Sequence, residues 1–314
     1  MTASAPHRSF ALVLSGGGAR GFAHIGVLSV LERWGYRPAA VVAVSMGAVV
    51  GVTWACRPDW YRALLAMDTT AFPGPIHHQE GAGTGGLVGR ARRALRYART
   101  AEHMLLSWGP GELALRDGRD ALEELMGATR LEELDIPVAI CATDLVSGDR
   151  EVLRTGRATE AVYASAALAG VLPPLDRGGR LLVDGAYSDV APVDVARAMD
   201  VSAIVAVDPG QLMPHPDIGN GFQAVMRAME ICHRKHADLR FEEADLVIRP
   251  RFRRPVDTLE FEAQRECVAA GVRGARSSEE ELRALLGEPG EALRGGMRQS
   301  SRRRDAPLFA ARSG

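Results

Sequence analysis

The chain has 314 residues, 46% of them hydrophobic and 25% charged, an ordinary balance for a soluble globular protein of one large domain or two modest ones. Its net charge of −1 provides no global field for nucleic acid, so no nucleic-acid partner is expected and any basic surface must be local. Cys56, Cys141, Cys232 and Cys267 are dispersed with no C-x-x-C pair, which excludes a sequence-evident zinc site or disulfide frame and fits a reducing, cytoplasmic compartment.

Along the chain, apolar runs alternate with helical patterns, the signature of an α/β fold with helices on both faces of a mostly parallel central sheet. Strands are predicted at Phe10–Leu14, Ala40–Val44, Val138–Ala142, Leu181–Val183, Ala203–Val207 and Leu246–Arg249. Phe22, Ile25, Leu28 and Leu31 recur at i, i+3 spacing and predict a buried helical stripe after the first strand. Further helices are expected at Ala48–Cys56, Asp59–Met67, Arg119–Met126, Thr159–Leu168, Pro192–Ala198, Phe222–Phe241 and Phe261–Gly271. A Gly-, Pro- and His-rich stretch from Thr69 to Gly89 reads as a long loop. The last residues turn Gly-, Arg- and Ser-rich, as a solvated tail does. No apolar run reaches transmembrane length, and the opening MTASAPHRSF lacks the apolar core of a signal peptide.

The stretch ALVLSGGGARGFAHIGVL holds G-x-G-x-x-G at Gly16, Gly18 and Gly21, between a strand and a helix. Such a loop can cradle a pyrophosphate, but a dinucleotide fold also wants an acidic residue about 20 residues on, at the end of the second strand. Here the second strand ends in Val42, Ala43 and Val44 with no carboxylate, and Ser45 follows. Ala43-Val44-Ser45-Met46-Gly47 instead has the form of a nucleophile elbow, a serine at a sharp strand-to-helix turn with small residues two positions away on either side. A serine after a strand is more often a plain helix cap. The glycine loop on the neighbouring strand shifts that balance, because its amides can serve an oxyanion. The hydroxyl needs a base. Asp184, closing the run RLLVD before Gly185, is the best candidate, since α/β sites gather where strands end.

Three motifs in this order resemble the patatin-like phospholipases: the loop Gly16-Gly17-Gly18-Ala19-Arg20-Gly21, the elbow at Ser45, and Asp184-Gly185-Ala186. The resemblance extends through GFAHIGVLSVLE, IPVAICATDLVSGD and AVYASAALAGVLPPL and covers about residues 8–275, a single domain. It implies a lipid acyl hydrolase acting on phospholipid or lysophospholipid esters. Ser45 would be the nucleophile and Asp184 its direct base, a dyad without histidine and without a cofactor. The amides of Gly17, Gly18 and Ala19 would hold the oxyanion, and Arg20 would brace the loop or, alternatively, meet a lipid phosphate. Two positions depart from the family pattern. Ala43 replaces the first elbow glycine and is expected to sit at negative φ. Ala169 replaces a usual proline and is expected to alter only a helix end.

Two other readings stay open from the sequence: a Ser-His-Asp esterase using His215, His233 or His236, and a non-catalytic lipid- or partner-binding regulator on the same fold. His233 and His236 read most simply as a solvated helix face, and His24 as a packed structural residue. Within an insertion at about 69–107, the stretch Gly85–Leu106 reads as a basic amphipathic helix. It is either a solvated face or an interfacial lid whose Arg92, Arg96 and Arg99 touch an anionic membrane on its inner side. Residues 276–314 are expected to form a C-terminal helix and tail.

Overall fold

The computed structural model describes residues 8–69, 115–212, 218–219 and 221–289. The predicted lid helix with Arg92, Arg96 and Arg99, His215, and the C-terminal tail lie outside the described residues. Five strands run parallel: β1 (Phe10–Leu14), β2 (Ala40–Val44), β3 (Val138–Asp144), β7 (Ala203–Val207) and β8 (Leu246–Ile248), in the spatial order β3-β2-β1-β7-β8. Beside β3 lie three antiparallel strands, β4 (Arg150–Leu153), β5 (Leu175–Arg177) and β6 (Arg180–Asp184). The fold is thus the expected mostly parallel α/β sheet.

Near-continuous Val, Ala, Ile and Leu in the parallel strands reflect burial on both faces. Leu12, Leu14, Val41, Ala43, Ile140, Val205 and Val207 point to one side. There they pack with residues of α1 (Ala23–Trp34), α2 (Met46–Cys56), α5 (Ala158–Ala166) and α8 (Gln264–Ser277). Ala11, Val13, Val42, Val44, Cys141, Ile204 and Ala206 point to the other, against α6 (Val193–Arg197) and the end of α7 (Gly221–Phe241). Three more α-helices are found among the described residues, α3 (Trp60–Ala66), α4 (Leu115–Met126) and α9 (Glu279–Leu286).

One detail of pairing governs the site. β4 pairs with residues 140–143 of β3 and so fills one of its edges. On the other edge β2 runs up to Val44, opposite Cys141, while β6 runs the opposite way and ends with Asp184 opposite Ala142. Two strands therefore meet head-on along a single edge, and the residues at their tips, Ser45 and Asp184, become neighbours.

Helix α1, which carries the glycine loop at its front, crosses α8 backbone on backbone. A Cβ on Gly271 would lie 1.9 Å from the Ala23 carbonyl oxygen, and one on Gly26 would lie 2.1 Å from that of Val268. Gly271→Ala is therefore expected to destabilise the protein by about 1–3 kcal/mol, the usual penalty of overpacking. Gly118, within α4, has nothing within 4 Å of such a Cβ. Gly118→Ala should instead stabilise by about 0.5–1 kcal/mol through helix propensity. Urea titration of both variants checks the opposite signs.

Candidate active site

Ser45 stands between β2 and α2 with φ 55° and ψ −126°, the one non-glycine residue at positive φ among the described residues. This conformation costs on the order of 1–3 kcal/mol and holds only where the surroundings impose it. Gly47 lets the turn close: a Cβ there would fall 2.2 Å from the Leu14 carbonyl oxygen at the end of β1. Ala43, by contrast, lies at negative φ within β2, its methyl in the core over Gly51. The glycine usual two residues before the nucleophile is not demanded by backbone geometry here. Ala43→Gly is expected to cost about 0.5–1 kcal/mol of stability, read from its denaturation midpoint.

The Ser45 hydroxyl donates to Asp184 Oδ2 at 2.6 Å, and Ala186 N–H donates to Asp184 Oδ1 at 2.9 Å. Both residues of the pair are buried. Gly185 permits the tight exit from β6, since its Cβ would lie 2.1 Å from the Cys141 carbonyl oxygen. Burial pushes the Asp184 carboxyl up to about 6, while the hydrogen bonds from Ser45 and Ala186 pull it the other way. A raised carboxyl is at its most favourable in the folded protein when neutral. Its contribution is whole below the ordinary value of 3.8 and is lost as the pH climbs through about 6. Asp184→Asn should therefore gain on the order of 1 kcal/mol on the parent between pH 5 and pH 8. Urea melts of the two proteins across that range test the sign.

The glycine loop lies beside the pair. A Cβ on Gly16 would be 3.6 Å from Ser45 Cβ and 3.5 Å from Ala186 Cβ. Its amides are not equivalent. Gly16 N–H donates to the Val190 carbonyl at 3.2 Å, and Arg20 N–H to that of Gly17 at 3.2 Å. Ala19, expected in the oxyanion set, has its N–H committed to the Thr258 carbonyl at 2.8 Å, so that expectation is corrected. Only the amides of Gly17 and Gly18 have no acceptor among the described residues. Gly18 sits at φ 54°, and Gly21 leaves room for the Met46 side chain. Arg20 points inward, 5% exposed, with Nη1 on the Gln211 carbonyl at 2.7 Å and Nη2 on Thr258 Oγ1 at 2.9 Å. Glu230 stands 3.7 Å from it. These contacts tie the loop to the later part of the chain and keep the guanidinium buried.

Two residues that sequence reasoning did not single out, Ser165 and Ala167, hold the pair from α5 and its exit. Ser45 N–H donates to Ser165 Oγ at 2.8 Å, and the Ser165 hydroxyl donates to the Cys141 carbonyl at 2.6 Å. Asp184 N–H donates to the Ala167 carbonyl at 2.9 Å. Ala169 N–H donates to Tyr187 Oη at 3.1 Å, a bond that a proline could not make. Ala169 thus touches the turn after Asp184, beyond the helix-end effect expected of it.

The described histidines stand apart from this pair. His24 is fully buried, its Nε2 is 2.9 Å from the Ser15 carbonyl, and burial pushes it down to about 4, so it is neutral and donates there. His233 is half-buried and meets the Tyr187 ring edge-on at 5.5 Å, not on a solvated face; burial lowers its basicity. Among the described residues the hydrogen-bond partners of the Asp184 carboxylate are Ser45 and Ala186, with no imidazole between serine and acid.

A buried serine at a strained elbow, a carboxylate directly on its hydroxyl and a glycine loop alongside define a family. The chain belongs to the patatin-like phospholipases, whose pattern it matches over residues 12–197. It is 34% identical over 201 residues to the lysophospholipase NTE1 of Cryptococcus neoformans, covering 64% of this chain and 11% of that one. It is 32% identical over 202 residues to an uncharacterized NTE family protein of Mycobacterium tuberculosis, covering 63% of this chain and 48% of the relative. The chain thus spans about a tenth of the fungal relatives and about half of the mycobacterial one. Among solved structures, VipD from Legionella pneumophila aligns over 88% of this chain and 68% of its own at 14% identity, with a TM-score of 0.45.

Proposed function

We propose that the protein is a serine hydrolase that cleaves acyl esters of phospholipids or lysophospholipids through a Ser45–Asp184 dyad. The 2.6 Å hydrogen bond from the Ser45 hydroxyl to the Asp184 carboxylate carries this reading. Family membership and the lysophospholipase relatives support the substrate class.

In the first step Ser45 Oγ attacks the ester carbonyl carbon while its proton passes to Asp184. Negative charge collects on the former carbonyl oxygen. The amides of Gly17 and Gly18, fixed before the substrate arrives, stabilise it without reorganising. Collapse breaks the bond to the alcohol oxygen, which takes the proton from Asp184 and departs. Water then attacks the acyl-serine, again losing its proton to Asp184, and collapse releases the fatty acid and returns the proton to Ser45 Oγ. One carboxyl thus serves alternately as base and acid, a use suited to a value raised to about 6. Among the described residues no helix is long and apolar enough to cross a membrane.

A fluorophosphonate probe is expected to label Ser45 in the parent, and neither Ser45→Ala nor Asp184→Asn should hydrolyse a short soluble ester above background. The parent's kcat/KM should fall about tenfold per pH unit well below pH 6, where Asp184 is protonated. His233→Ala and His236→Ala should keep activity within about threefold, a loss under 1 kcal/mol. Labelling elsewhere, or a histidine as indispensable as Ser45, would falsify the dyad.

A further inference from the structure

The parallel ladder between β2 and β3 ends at Val44 opposite Cys141. Ser45 turns out of the strand there, and a donor from α5 takes over at that point. Ser165 is completely buried, and its hydroxyl both accepts from Ser45 N–H and donates to the Cys141 carbonyl. Its one hydrogen is spent on Cys141, which turns its lone pairs toward Ser45 N–H. The site needs a small group that can donate and accept at once.

We propose that Ser165 is a positioning residue for the nucleophile: it holds the Ser45 backbone in its strained conformation and fixes it to the frame that carries the base. The second half follows from the exit of α5. Ala167, two residues on, accepts from Asp184 N–H, and Ala169 donates to Tyr187. One short segment therefore grips nucleophile, base and the turn behind the base at alternate residues. The separation of Ser45 Oγ and Asp184 is set by that segment and not by the hydroxyl–carboxylate bond alone. This inference rests on the proposed dyad.

Without the Ser165 hydroxyl, Ser45 N–H and the Cys141 carbonyl lose their shared partner in a buried place. The elbow is then free to relax from φ 55°, carrying the hydroxyl away from its attack geometry. Such a loss falls on the chemical step and not on ground-state binding. Ser165→Ala is therefore expected to lower kcat on a short soluble ester by tenfold or more while KM stays within about twofold. The rate of Ser45 phosphonylation by the fluorophosphonate should drop by the same factor. Ser165→Thr, which keeps the hydroxyl, should recover most of the loss.

Ile248→Val is the control. It trims a fully buried side chain in β8, four strands from the elbow's anchor on β3, and should lower stability with kcat intact. If Ser165→Ala keeps kcat within twofold, or raises KM with kcat intact, the positioning role is overturned. It is overturned equally if the loss merely tracks stability, as judged against Ile248→Val. The underlying dyad is judged separately on the parent. If the probe does not label Ser45 there, the dyad fails and the positioning role goes with it. If the parent is labelled and Ser165→Ala is labelled as fast, only the role of Ser165 is lost.

Discussion

The site depends on a single edge of β3. A strand edge normally serves one neighbour, but here β2 and β6 approach from opposite ends and stop one residue apart along it. The sheet itself thereby brings a serine and a carboxylate together. Neither chain can continue past the junction, so both must leave it sharply. Gly47 and Gly185 are the small residues that make those exits possible, each pressed against a strand carbonyl.

The same junction makes the site costly to fold. Ser45 stores backbone strain, and Asp184 is an acid kept from water with two donors on its carboxylate among the described residues. Such a place persists because what surrounds it is over-determined. The parallel strands are packed on both faces, and α1 and α8 touch without intervening side chains. The rigidity of the core and the proposed reactivity of the pair are two sides of one arrangement. An acid that were better solvated would be more stable but a poorer proton acceptor near neutrality.

What the sequence revealed followed from the physics of strand ends. The parallel strands are long apolar runs, and Ser45, Asp184 and the glycine loop sit where such runs stop, so position and chemistry could be read together. β4 and β5 left no comparable trace. REVL is half-exposed and polar, and LDR is three residues at the sheet's rim. Ser165 was hidden in an alanine-rich helix where a lone serine has no periodic meaning. The amide of Ala19 was misread for a different reason. Which loop amides remain available depends on a backbone carbonyl at Thr258, and a carbonyl carries no side-chain signature. His233 likewise looked solvated on its own helix, because Tyr187 comes to it from another part of the chain.

Thr258 has a wider consequence. The family model matches up to residue 197, yet the sheet neighbour that flanks β1 on its far side, the helix that buries α1, and the carbonyl that tethers Ala19 all come later. Anyone transplanting this loop, elbow and acid into another scaffold would carry the proposed reacting atoms but leave behind the carbonyl that ties the loop down at Ala19.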